Sequence, residues 1–202
     1  MAIVTPNPKS IRSFRNQAAF ESWMRKHHDQ EQEIWLKIHK KDSGLPTVTA
    51  AEALDVALCW GWIDGIRKGY DENSFLQRYT PRKAKSSWSQ INRDHVARLV
   101  ATGKMTPHGQ KHVDAAKTDG RWDAAYAPMR SASVTSLPED LRSAIEASPR
   151  ARKALHQLQR NELFALAYRT NARKTAAGRA RAIATLVAKL ERGEPIAQQR
   201  KP

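Results

Sequence analysis

Apolar and polar positions alternate with two different periods along this chain, and the change of period marks out its elements. Phe20, Trp23, Met24 and His27 fall at i, i+3, i+4 and i+7, so a helix is predicted over residues 16–28. In "EIWLKIHK" (33–40) the period drops to two. Ile34, Leu36 and Ile38 share one face and Trp35, Lys37 and His39 the other, as in a half-buried strand. Thr49 and Glu52 then spell a T-x-x-E capping box ahead of "AEALDVALCWG". The box places a helix N-terminus, with Ala53, Leu54, Ala57 and Leu58 as the buried stripe and Gly61 as the stop.

"WIDGIRKG" (62–69) and "SFLQRYT" (74–80) are short runs rich in aromatic and β-branched residues, with the turn residues "YDEN" between them. They predict a β-hairpin over 62–80 that joins the 33–40 strand in a small antiparallel sheet. Pro81 ends the ladder because it has no N–H to donate. A helix follows over about 89–101, capped by Ser87 or Ser89. Another starts at Thr106-Pro107 and stops at Gly120.

Beyond residue 124 the pattern is helical throughout. Helices are expected over 138–147 (box Ser136/Glu139), from Ser148-Pro149 to 159, after Asn161, and over 175–192. In the last, Ile183, Leu186, Val187 and Leu190 form the apolar stripe, and Arg179, Arg181, Lys189 and Arg192 lie outside it. The fold class is therefore α+β and predominantly helical: a small antiparallel β-sheet packed by helices, followed by a C-terminal helical bundle. The expected organisation is an α+β domain over 1–125, a linker at 126–136, a helical domain over 137–195 and a disordered tail at 196–202.

Composition adds a bias toward anions. The chain has 202 residues and a formal net charge of +15, which favours polyanionic partners. The excess is uneven: residues 51–80 are net −2, residues 81–130 net +6 and residues 131–202 net +8. One cysteine, Cys59, rules out an internal disulfide. No apolar run of membrane-spanning length occurs, and the N-terminal stretch has no apolar signal segment, so a cytoplasmic location is expected.

Two clusters carry candidate chemistry. Arg78, Thr80 and Arg82 lead to Trp88 and Ser89 at an expected helix N-terminus, where unpaired N–H groups and the helix dipole favour anions. Asn92 lies one turn in. Asp64, beside Arg67 and across the hairpin from Arg78, could orient an arginine fork toward a phosphate or carboxylate. An anionic small molecule or polyanion is the implied partner; the plainer alternative is a hairpin ion pair with a glycine bulge. The second cluster is Arg169, Arg173, Lys174, Arg179 and Arg181, a surface for nucleic-acid phosphates or simply a solvated basic face. His108 and His112 stand at i, i+4 without a third ligand in register, so no metal site is expected. No P-loop, dinucleotide fingerprint or nucleophile elbow occurs, and neither a cofactor nor a catalytic set is assigned. Asp64 is the one plausible general base should the chain be an enzyme.

Four stretches carry a resemblance: "VTAAEALDVALCWGWIDGIRK" (48–68), "SFLQRYTPRK" (74–83), "WSQINRDHVARLVATGKMTPHGQKHVDAAKTDGRWDAAY" (88–126) and "RNELFALAYRTNARKTAAGRARAIATLVAKLERGE" (160–194). With them the chain resembles the YdeI/OmpD-associated family, whose members are described as bacteriocin-protection proteins. The resemblance implies a small, mostly helical protein linked to stress or antimicrobial-peptide tolerance. It implies no catalytic residues.

Overall fold

The computed structural model describes residues 5–173 and 175–197. These divide into two compact units. The first takes residues up to Trp88 together with Asn92–Asp123; the second takes Ser89–Ile91 and the chain from Ala124.

The first unit is built on a four-stranded sheet, β1 (Ile11–Arg12), β2 (Ile34–His39), β3 (Trp62–Asp71) and β4 (Ser74–Pro81), in the order β1-β2-β4-β3. β2–β4 and β4–β3 are antiparallel. The two-residue β1, which the hydrophobic pattern does not reveal, pairs parallel to β2 through Ile11–Trp35 and Arg12–Leu36, so the sheet is mixed. The period-two face of β2 is buried as its alternation requires. Ile34, Leu36 and Ile38 lie opposite Tyr79, Gln77 and Phe75 of β4. That face meets α1 (Gln17–His27), through Phe20 and Met24, and α2 (Ala50–Cys59), through Ala53, Val56 and Ala57.

Local chemistry fixes the ends of these elements. Asn16 caps α1 by accepting from the Ala19 N–H. The Thr49/Glu52 box forms in both directions on α2. Gly61, at φ 74°, ends α2 in the left-handed conformation. At the hairpin tip Asp71 accepts from the Ser74 hydroxyl and the Asn73 N–H, and it pairs with Lys37 at 3.1 Å. These bonds, the Ser74 hydroxyl first, hold its carboxyl down at about 2. β3 carries an extra residue between Asp64 and Arg67 and another between Gly69 and Asp71. Each is a β-bulge that bends the strand.

α3 (Gln90–Ala101) and α4 (Pro107–Thr118) complete the first unit from Asn92 onward. The start of α4 meets the end of α2 at close range. Thr106 donates its hydroxyl to the Cys59 carbonyl. A Cβ placed on Gly109 would lie 2.4 Å from the Leu58 carbonyl oxygen and 2.5 Å from that of Cys59. Only glycine permits this approach.

The second unit is helical: α5 (Glu139–Glu146), α6 (Pro149–Leu155), α7 (Arg160–Asn171) and α8 (Ala176–Glu191). Its core gathers Leu141, Ile145, Leu155, Leu166, Leu186 and Leu190. Ser148 and Thr175 cap α6 and α8. Two expected caps differ. Ser136 pairs with Ser133 in a short 3-10 turn, which leaves Pro138 at the N-cap of α5. α7 begins two residues earlier than Asn161 as cap would allow, with the Gln159 N–H donating to Glu162 at 3.2 Å. The segment expected as a linker packs with this unit: Tyr126 makes edge contacts with Phe164 and Tyr168, and Ala132 and Val134 rest on the core. Ile196, at the start of the expected tail, is buried, and residues 198–202 lie outside the described residues. No helix among the described residues is long and apolar enough to cross a membrane.

Candidate functional site

The residues of the hairpin cluster do not share one environment. Directly paired residues of an antiparallel sheet point to the same side. Asp64 pairs with Tyr79 and Arg67 with Gln77, so both belong to the face of Phe75 and Tyr79. Arg67 lies over the Phe75 ring at 4.4 Å and donates to Gln77 at 2.9 Å. Arg78 belongs to the opposite face with Thr80. Its guanidinium pairs with Glu33 at 2.7 Å beside the Trp35 ring. The sheet therefore separates Arg78 from Asp64, and the expected pairing across the hairpin does not form.

Arg82 is only 5% exposed. Its guanidinium lies 3.7 Å from the centre of the Trp88 ring and donates to the Ser87 carbonyl at 3.0 Å. Trp88 is buried in edge contact with Trp122. Ser89, directly before α3, and Asn92 are both buried too, Ser89 counting with the second unit and Asn92 with the first. Asp64 keeps an exposed edge, but the crowding of its carboxyl raises its pKa. Its own backbone N–H, then Arg82, then Arg67 oppose that rise.

A polar group that the sequence reading did not single out lies between α2 and α3. Asp55, only 8% exposed, accepts from His95 Nδ1 at 2.6 Å and from Arg98 Nη2 at 2.7 Å. The carboxylate fixes the imidazole with its proton on Nδ1. One signal was available: an aspartate one residue after the apolar pair Ala53-Leu54 and one before Val56-Ala57 must be paired if it is buried.

Cys59 faces a cavity of about 460 Å³ lined by Glu21, Leu99 and Lys104. Burial first, then Asp55 and Glu21, pushes its thiol up to about 11. From the ordinary value of 9.0, this leaves roughly a hundredfold less thiolate at neutral pH. Alkylation by iodoacetamide at pH 8 is expected to run slower than that of a free thiol by a factor of that order. Labelling at the free-thiol rate would contradict it.

The C-terminal cations separate into two groups. Arg179 is engaged by Asp140, with Nε and Nη2 each donating to one carboxylate oxygen. The other three described members of the cluster carry no ion pair among the described residues. Arg169, Arg173 and Arg181 converge with Lys189 on a cavity of about 470 Å³ between α7 and α8, together with Gly178, Thr185 and Leu186. No acidic side chain lines it; Lys189 alone has a distant partner, Glu194 at 3.8 Å. Lys174 lies outside the described residues.

Comparison with known families divides the chain in a similar way. Residues 12–112, half of the chain, match a domain of unknown function, DUF8412. The chain belongs to that family. Residues 135–193 match the family described as bacteriocin-protection, YdeI or OmpD-associated, so the resemblance read from the sequence holds for the helical unit. No curated protein and no solved structure matches. DUF8412 thus covers the sheet from Arg12 on, α1, α2, α3 and the start of α4. The YdeI/OmpD-associated match covers α5–α8, including the whole cationic cavity.

Proposed function

We propose that the protein binds a phosphate-bearing anion in the cavity between α7 and α8. The observation that supports this reading is the convergence of Arg169, Arg173, Arg181 and Lys189 without an acidic neighbour in the lining. Four like charges around one concavity repel one another unless an anion or water screens them. Arginines in particular present forked donors suited to phosphate oxygens. The hairpin arginines are less suited to the role, because Arg78 is paired with Glu33 and Arg82 is packed on Trp88. A link to stress or antimicrobial-peptide tolerance rests on the description of the family matched by residues 135–193.

The test is titration with inorganic pyrophosphate, comparing the unmodified protein with Arg173→Ala/Arg181→Ala. The double variant is expected to bind at least tenfold more weakly at unchanged melting temperature, since Arg173 and Arg181 are both exposed. Arg25→Ala removes charge from an exposed site far along the chain and should leave binding unaltered. An equal loss from Arg25→Ala would reduce the effect to net charge and end the proposal.

Nucleic acid is a second reading, favoured by the linear spacing of the cations. Arg181, Thr185 and Lys189 stand one helical turn apart along α8, and Arg169 near the end of α7 and Arg173 just past it line the same cavity. For a short duplex titrated at two salt concentrations, the double variant should flatten the salt dependence by about two phosphate contacts. No duplex binding at low salt would leave the small-anion reading alone.

A further inference from the structure

The end of α1 and the start of α4 bring two histidines together. His28 caps α1, and its Nδ1 lies 3.1 Å from the Met24 carbonyl. A carbonyl can only accept, so the Nδ1 proton is committed to it and Nε2 carries a lone pair. That lone pair faces His108 Nδ1 at 3.2 Å. His108 is exposed on the second residue of α4. Its position is set by the contact of Gly109 with the end of α2 and by Gly61, where an added Cβ would lie 2.8 Å from the His108 carbonyl oxygen. Trp60 flanks both rings, 4.7 Å from His28 and 5.4 Å from His108 between ring centres.

We propose that His28 Nε2 and His108 Nδ1 form a two-histidine site for a divalent first-row transition ion such as Zn²⁺. Two features support it. Zinc–imidazole bonds of about 2.0–2.1 Å in a tetrahedron set neighbouring nitrogens about 3.3–3.4 Å apart, close to the 3.2 Å seen here. The Met24 carbonyl does for His28 what outer-shell acceptors do for metal-bound histidines: it fixes the tautomer and the ring direction. Asp29, next to His28 in the chain, adds favourable charge for a cation. Among the described residues no cluster of three or more His, Cys, Asp or Glu could hold a metal, so water fills the remaining positions. Such a site is open, and it can take an exchangeable ligand.

Zn²⁺ titrated by calorimetry into tag-free, chelator-stripped protein is expected to fill one saturable site. Co²⁺ in the same site should develop visible absorption of a nitrogen- and oxygen-ligated ion. His108→Ala, which removes an exposed side chain, should weaken Zn²⁺ binding at least tenfold without changing the far-ultraviolet circular dichroism. His28→Ala should do the same. His112→Ala, one turn along α4, should leave affinity within twofold. Absence of saturable Zn²⁺ binding, or binding that survives both His28→Ala and His108→Ala, would overturn the proposal and leave an imidazole–imidazole hydrogen bond stacked on Trp60.

Discussion

Gly109→Ala should destabilise the first unit by about 2–4 kcal/mol, reversing the usual sign of this substitution in a helix. Elsewhere in a helix, alanine in place of glycine gains about 0.5–1 kcal/mol by reducing the freedom of the unfolded chain. At Gly109 the added methyl would stand 2.4 Å from the Leu58 carbonyl oxygen, 2.5 Å from that of Cys59 and 2.6 Å from Met105 Sδ. The methionine can turn aside, but the two carbonyls belong to the last turn of α2 and cannot move without unwinding it. The steric cost therefore exceeds the entropic gain. Urea unfolding followed by tryptophan fluorescence would measure it. Gly69, with open space beside its Cα and an ordinary φ, is the control; Gly69→Ala should change stability by no more than about 0.5 kcal/mol. A Gly109→Ala protein as stable as the parent would mean that α4 can slide away from α2. His108 would then no longer be held opposite His28.

Features written within a few residues were legible in the sequence, and those that depend on distant partners were not. The Thr49/Glu52 box and the stop at Gly61 involve neighbours only, and both form as read. The alternation in Ile34, Leu36 and Ile38 named the face of β2 that meets the helices, but Trp35 on the opposite face is buried as well. The Ser136/Glu139 box had a competitor within the same few residues: Ser133 takes Ser136 into its own turn. β1 is two residues long and exists only through its pairing with β2. The candidate site divides along the same line. Asp64 and Arg78 are close in the hairpin, but their register sets them on opposite faces. The C-terminal arginines were legible as a basic cluster. The removal of Arg179 from it depends on Asp140, 39 residues earlier in the chain. In the Asp55–His95–Arg98 group the apolar neighbours of Asp55 signal only that it needs a partner; the partners lie 40 and 43 positions away, and no local pattern names them.

Arg82→Ala should cost the apo protein about 2–4 kcal/mol, because a desolvated cation–π contact and a charged hydrogen bond are lost together. A positive charge in a run of Arg, Lys and Ser reads as solvent-facing, but the backbone decides otherwise. Pro81 is the last residue of β4, and the Arg82 N–H donates to the Gly61 carbonyl at 2.9 Å, which turns the side chain onto Trp88. Truncation would leave a void against the Trp88 ring and withdraw the donor from the Ser87 carbonyl. Lysine should restore little, since a point charge cannot lie flat on an indole as a guanidinium does. Asp64 gives the effect a pH signature. Its carboxyl is already raised by burial, and Arg82 is one of the groups opposing that rise. Without Arg82 the folded-state pKa climbs further above the unfolded value, so folding favours the protonated acid. That extra penalty is full above the new folded pKa and vanishes below the unfolded one. The loss caused by Arg82→Ala should therefore be larger at pH 7 than at pH 4, and Asp64→Asn in the same chain should recover the difference. A melting temperature unchanged by Arg82→Ala would contradict this account of the contact with Trp88.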